Sequence, residues 1–286
     1  MPQENEIVQE AQTGLLALHF RTIDRITIRF ATNGKTDGEP ILLLSPLPES
    51  ILAFLPTWEM FSALGPVIAV DLPAFGLSGS EPYLRAPEPM GNFVIRILES
   101  FGLVKPHVVA PDVGTPACLF AAANHPGVFQ SLVIGSGATD HTDIGGILDA
   151  IVNAPSLEQF KDLSGEQFVR GALENMAKYA LPAYALQDYV ASYTGDRFWH
   201  AMAFVRDYPN SLPRLSKRLS EIRVPCQITV GRNDPFVPVS NAEGLHKGLR
   251  KSNLNVLDCG HFVWEDAAAE YGRLASDFIK GGYAKL

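Results

Sequence analysis

The sequence predicts an α/β fold: a mostly parallel sheet flanked by helices, with a helical cap inserted over the carboxyl ends of the strands. Three observations carry this reading. Short, continuous apolar runs recur along the chain, helix-length segments alternate with most of them, and one long interval, residues 138–223, holds no such run. A strand covered by helices on both faces has no polar side, so it reads as unbroken apolar sequence rather than as an alternation. Strand and helix in turn imply right-handed crossovers between parallel neighbours.

Taken in order, residues 15–21 and 26–31 are β-prone runs joined by a turn-like segment at 22–25, which predicts an antiparallel edge. The first buried strand is Ile41-Leu42-Leu43-Leu44, and comparable runs follow at 67–70, 107–110, 131–134, 226–230 and 254–257. Helices are expected at 51–64, 87–101, 115–124, 240–250 and 262–279. Within the strandless interval, residues 145–153, 157–180 and 183–204 read as helical, and Tyr179, Tyr184, Tyr189, Tyr193, Phe198, Trp199, Phe204 and Tyr208 crowd together there. The expected organisation is a core of residues 1–138 and 223–286 and a cap of residues 139–222. Ligands of such folds bind at the carboxyl ends of the strands, beneath the cap.

Composition narrows the function. With 286 residues, 47% hydrophobic and 19% charged, the chain can bury a sizeable core and lacks the signature of disorder. Nucleic-acid affinity comes mainly from clustered Lys and Arg, so a formal charge of -8 argues against a nucleic-acid partner. Residues 1–10 show neither a basic nor an apolar leader region, and no apolar run reaches the length of a membrane span. A cytoplasmic monomer or homodimer with no membrane partner is the expectation. Cys118, Cys226 and Cys259 are scattered in apolar surroundings and read as reduced buried thiols. His107, His125 and His141 lack ligand spacing, so no metal is expected.

The chemistry centres on Asp112. The strand ending at Ala110 runs through Pro111-Asp112-Val113-Gly114 directly into a helical stretch. A nucleophile at such a turn needs small residues two before and two after it, because strand and helix approach closely; Ala110 and Gly114 supply them. The turn also aims the Val113 N–H at the reacting centre, near the positive end of the helix. Ser78 has Glu81-Pro82 after it, where no helix can start, and Ser136 has the bulky Ile134 two positions before it, so neither serine fits this turn. Asp71, followed by Leu72-Pro73, reads as a loop residue satisfied by local hydrogen bonds.

Segments 42–50, 70–78 and 259–262 around this turn resemble, in order and spacing, the oxyanion loop, the strand-four loop and the histidine loop of the α/β-hydrolase superfamily, over almost the whole chain. Aspartate rather than serine at the elbow resembles the epoxide hydrolases and the haloalkane or haloacetate dehalogenases. The resemblance implies Asp112 as nucleophile, Asp234 after the strand ending at Val230 as the orienting acid, His261 as the base, and the backbone N–H groups of Leu47 and Val113 as the oxyanion hole. It implies no cofactor. Where epoxide hydrolases carry His-Gly-x-Pro, this chain has Ser45-Pro46-Leu47-Pro48 and keeps only the final proline.

A carboxylate needs no deprotonation at neutral pH and attacks a saturated carbon that bears a strained or good leaving group. Dehalogenases of the family place halide donors directly after the nucleophile and in the oxyanion loop, but this chain has Val113 and Leu47 there. It also lacks the arginines that surround a haloacetate, with none between residues 106 and 127. An epoxide oxygen requires an acidic donor from the cap. Tyr193 and His200 are the first candidates, with Tyr189, at i, i+4 from Tyr193, and Trp199 beside them. The expected reaction is the opening of a small apolar epoxide to a diol. The alternatives are a hydrolytic dehalogenase and a non-hydrolytic, lyase-like or ligand-binding protein of the same fold.

Overall fold

The computed structural model describes residues 7–8 and 16–286. The leader reading of residues 1–10, Ile7 and Val8 apart, and the start of the first β-prone run at Leu15 lie outside the described residues. The described strands are β1 (Ile7–Val8), β2 (Leu18–Ile23), β3 (Ile26–Thr32), β4 (Ile41–Leu44), β5 (Val67–Val70), β6 (His107–Pro111), β7 (Ser131–Gly135), β8 (Cys226–Gly231) and β9 (Ser252–Leu257). They form one sheet in the order β1-β2-β3-β5-β4-β6-β7-β8-β9. Strands β1, β2 and β3 pair antiparallel, and β3 joins β5 antiparallel. From β5 through β4 to β9 every pairing is parallel.

The apolar runs are the central strands for the reason the sequence suggests. Every residue of β4, β6, β7 and β8 is buried, because helices cover both faces. At the sheet edge β9 is only partly covered and carries Asn253 and Asn255, so only its carboxyl half reads as an apolar run.

Helices α1 (Trp58–Ser62), α2 (Pro87–Phe101) and α3 (Gly114–Asn124) precede the insertion. The helix expected at 51–64 divides into a 3-10 stretch, Ile51–Thr57, and α1; Pro56, which lacks an N–H, lies inside the former. Helix α2 ends on Gly102 at φ +65°, a left-handed position that costs glycine little.

Between β7 and β8 lie α4 (Gly146–Val152), α5 (Gly165–Leu173), α6 (Ala183–Ser192), α7 (Asp196–Arg206) and α8 (Tyr208–Ser216). The helical stretch expected at 157–180 is shorter than its pattern. It consists of a 3-10 turn, Leu157–Phe160, and α5, which begins at a capping box made by Ser164 and Gln167. Gly195, at φ +62°, separates α6 from α7 within the stretch expected at 183–204. Helix α8 is absent from the sequence-based expectation, which ends the helical segments at residue 204; Pro209 occupies its first turn, where no donor is lost. After β8 come α9 (Val239–Gly248), α10 (Val263–Asp266) and α11 (Ala268–Ile279), the last two replacing one expected helix.

A buried ion cluster fastens α6 to the sheet. Arg29 of β3 is 1% exposed; its Nε donates to Asp71 at 2.5 Å and its terminal nitrogens donate to both oxygens of Asp188 on α6, at 2.6 and 2.9 Å. Asp188 also accepts from the Ser50 hydroxyl at 2.5 Å. Asp71, read from sequence as a loop residue, accepts in addition from the backbone of Ile51 and Leu77 at 2.8 and 2.9 Å. One guanidinium thus meets two carboxylates, which is how a buried arginine is tolerated.

Candidate active site

At the carboxyl end of β6 the chain turns sharply into α3, and Asp112 occupies the turn with φ +50°. A non-glycine residue in the left-handed region is strained, and small neighbours make room for it. A Cβ on Gly114 would sit 3.0 Å from the Ala110 Cβ, and one on Gly137 would sit 2.2 Å from the Asp112 carbonyl oxygen. The Asp112 N–H donates to Gly135 and its C=O accepts from Thr115, both at 2.9 Å, so β7 and α3 brace the turn.

The Asp112 carboxylate is 7% exposed. Its Oδ2 accepts from the Leu47 N–H at 2.6 Å, and the adjacent Val113 N–H favours the charged carboxylate. Its Oδ1 lies 4.0 Å from His261 Nε2. The other ring nitrogen of His261, Nδ1, is 2.7 Å from Asp234 Oδ2. Asp234 in turn accepts from the N–H groups of Phe236 and Val237 at 2.8 and 2.9 Å, so its carboxylate has a fixed orientation. Three rings, Phe236, Phe262 and Trp264, meet the imidazole edge-on with centroids 5.1–5.8 Å away.

Burial pushes the Asp112 carboxyl up to about 6, against the opposing pull of His261 and the two backbone donors. For His261 burial works against the charged ring, but Asp234 and then Asp112 outweigh it and hold the imidazolium above its ordinary range. The arrangement provides a carboxylate oxygen free to bond carbon, two donors on the other oxygen, and a histidine within one water of the carboxyl carbon.

These groups open onto a cavity lined by Leu47, Pro48, Asp112, His261 and Phe236 from the sheet loops and by Ile147, Leu148, Ile151, Phe168, Ala172, Met202 and Val205 from the inserted helices. No lysine or arginine is in this lining. The five residues Asp112, His261, Asp234, Leu47 and Val113 are thus brought together, whereas the four aromatic candidates from the insertion are not in the lining. The Tyr193 hydroxyl donates to the Glu49 carbonyl at 3.0 Å, and the Tyr189 hydroxyl donates to Glu265 at 3.0 Å. Trp199 packs on Phe198, and His200 is half-buried, with burial and Arg85 lowering its pKa.

Tyr208 is the residue that the donor candidates omitted. It opens α8 and is 1% exposed, its ring meets Phe204 edge-on, and its hydroxyl has no hydrogen-bond partner among the described residues. Like the other four aromatics, it is not in the cavity lining. Burial raises its pKa well above the ordinary phenol, and the charge of Asp112 adds to the shift. Pro209, a residue favoured in the first turn of a helix, was the available signal for a helix starting at Tyr208.

Residues 39–268 match the model of a family described as the alpha/beta hydrolase fold. A 2-hydroxy-6-oxononadienedioate/2-hydroxy-6-oxononatrienedioate hydrolase of Burkholderia vietnamiensis is 25% identical over 234 residues, 75% of this chain and 76% of that protein. Among solved structures, Cfl2 from Burkholderia cenocepacia superposes with a TM-score of 0.79 at 18% identity, covering 97% of this chain and 99% of that one. The haloalkane dehalogenase DbeA from Bradyrhizobium elkani gives 0.79 at 20%, covering 95% and 100%. With the sheet order and the family match over most of its length, the chain belongs to the α/β-hydrolase fold family and is a hydrolase of that type.

Proposed function

We propose that the protein opens a small apolar epoxide to a diol through a covalent ester on Asp112, within a core of residues 1–138 and 223–286 closed by a cap of residues 139–222. The observation that carries this reading is the Asp112 carboxylate itself, with one oxygen held by Leu47 at 2.6 Å and the other 4.0 Å from His261. Oδ1 attacks a ring carbon, the carbon–oxygen bond of the epoxide breaks, and its oxygen takes a proton. His261 then removes a proton from water, which attacks the ester carbonyl, while Asp234 stabilises the imidazolium. The bond between the carboxyl carbon and Oδ1 breaks, the departing diol oxygen takes the imidazolium proton, and the proton of the new carboxyl returns to the phenolate of the donor tyrosine. The charge that builds on Oδ2 faces the N–H groups of Leu47 and Val113. Tyr208 supplies the proton to the ring oxygen, since its hydroxyl is uncommitted and faces the field of Asp112.

The aliphatic lining supports an apolar substrate. The relative from Burkholderia vietnamiensis is named for a dicarboxylate, and a lining without lysine or arginine offers no counter-charge for one. A single turnover in oxygen-18 water tests the covalent step: the first diol should carry only unlabelled oxygen, drawn from Asp112. Label in that first product, or release of halide from haloalkanes with no diol from any epoxide, would overturn the reading.

A further inference from the structure

Behind the oxyanion loop lie two acids that the proposed reaction does not use. Glu49, two residues beyond Leu47, is fully buried, and Glu265 on α10 is 3% exposed. The indole that bonds Glu49 belongs to the residue just before Glu265, and the charge of Glu265 adds to the burial that raises Glu49. Glu49 Oε2 accepts from the Trp264 indole N–H at 2.9 Å, and Glu265 Oε1 accepts from the Tyr189 hydroxyl at 3.0 Å. The remaining oxygens, Glu49 Oε1 and Glu265 Oε2, are sealed from solvent and have no donor among the described residues. Two ionised carboxylates offer each other nothing but repulsion, whereas one proton between them satisfies both sealed oxygens.

Among the described residues no cation relieves the pair. The charged and titratable groups that face it are Asp112 from the elbow, Asp266 on its own helix α10, Tyr189 on α6, Tyr193 at its end and Tyr179 ahead of it. The nearby Lys178 ammonium is directed to the Asp258 carbonyl, and Asp266 is occupied by the N–H groups of Ala177, Lys178 and Tyr179. Among the described residues no arginine or lysine bonds either glutamate.

The pair also sits at a junction. Glu49 continues the loop that supplies the Leu47 N–H, its carbonyl accepts from Tyr193, and its carboxyl holds Trp264, whose ring lies 5.8 Å from that of His261. Glu265 ties the same point to α6 through Tyr189. We propose that Glu49 and Glu265 share one proton and act as positioning residues: the protonated pair clamps the oxyanion loop to the histidine loop and to α6, and loss of the proton releases the clamp. The effect on turnover rests on the Asp112 mechanism; the proton sharing does not. Burial raises both carboxyls above their ordinary range. The folded chain therefore binds more protons than the unfolded chain. Stability from this source is complete below the ordinary carboxyl range and is lost as pH rises through the raised values.

Glutamine at either position keeps the shape and supplies a permanent donor, so it fixes the clamped state. Infrared spectroscopy in heavy water, taken about two pH units above the Asp112 value of about 6 so that this carboxyl is ionised, should show a protonated carboxyl absorption that titrates away at higher pH and is missing from both Glu49→Gln and Glu265→Gln. Wild-type turnover of an epoxide should fall about tenfold per pH unit on the alkaline side, and the limb should vanish in the glutamine variants. The thermal midpoint of the wild type should decline with rising pH more steeply than theirs. A protonated carboxyl absorption that survives in both variants, or none in the wild type, overturns the shared proton. An alkaline limb unchanged in the variants overturns the clamp. A chain that forms no ester on Asp112 fails the proposed mechanism alone, because the infrared and thermal measurements need no substrate.

Discussion

Asp112 sits in a conflict between what its chemistry and its surroundings require. Burial raises its pKa to about 6, while the N–H groups of Leu47 and Val113 and the charge of His261 keep it from rising further. Only the carboxylate attacks carbon, so the rate of ester formation should fall about tenfold per pH unit below about 6, measured as the pH dependence of kcat/KM. The sign for folding is the reverse of that for catalysis. A raised folded-state pKa means that the acid form is favoured by folding, so this stability is present at low pH and is lost as pH climbs through about 6. The elbow was legible in the sequence because its constraint is local: Ala110 and Gly114 lie within two residues of Asp112, and the clash that requires them involves only the strand and the helix joined by the turn. Gly137, which crowds the Asp112 carbonyl from the loop after β7, was not legible, since the contact crosses two elements.

The break between α7 and α8 sets where Tyr208, the proposed proton donor, enters the insertion. Helix α7 closes at Arg206, and α8 restarts at Tyr208 with Pro209 in its first turn, which turns the tyrosine ring against Phe204. Tyr208→Phe should slow ester formation from an epoxide by about 100-fold, the lower range for a lost general acid, yet leave alkylation by an alkyl bromide unchanged, because bromide departs without a proton. Rapid-quench measurement of the covalent adduct with each reagent checks both halves. Tyr189 and Tyr193 were reasonable candidates by helical spacing. Their hydroxyls instead serve Glu265 and the Glu49 carbonyl, partners that no spacing rule within α6 reveals.

Across the whole molecule, several segments attach the insertion to the sheet domain, among them residues 177–179 to Asp266, Arg197 of α7 to the Gly76 and Ser78 carbonyls and Arg214 of α8 to Glu88. Within six residues α6 and its end present Asp188 to Arg29, Tyr189 to Glu265 and Tyr193 to Glu49, while α4, α5 and α7 line the cavity. Removal of one partner leaves Arg29 with uncompensated charge in a site that is 1% exposed. Asp188→Ala should therefore destabilise folding by about 3 kcal/mol, near the low end for a broken buried pair because Asp71 still faces the guanidinium. Chemical denaturation measures the loss, and Asp188→Asn, which keeps one acceptor, should lose less. The formal charge of -8 gave no hint of this cluster, because an overall balance says nothing of which charges are buried together.

By itself the sequence determined the α/β architecture, the parallel centre with its antiparallel edge, and the order along the chain of Asp112, Asp234 and His261, the residues proposed as nucleophile, acid and base. Apolar runs, helix periods and turn sterics act over a few consecutive residues, and their order along the chain is enough to reveal them. Tertiary structure alone decided which aromatic hydroxyl is free near Asp112 and that Glu49 meets Glu265 behind it. Glu49 and the Trp264 that holds it are 215 residues apart, and whether a buried acid keeps its proton depends on the donors and charges that folding gathers around it.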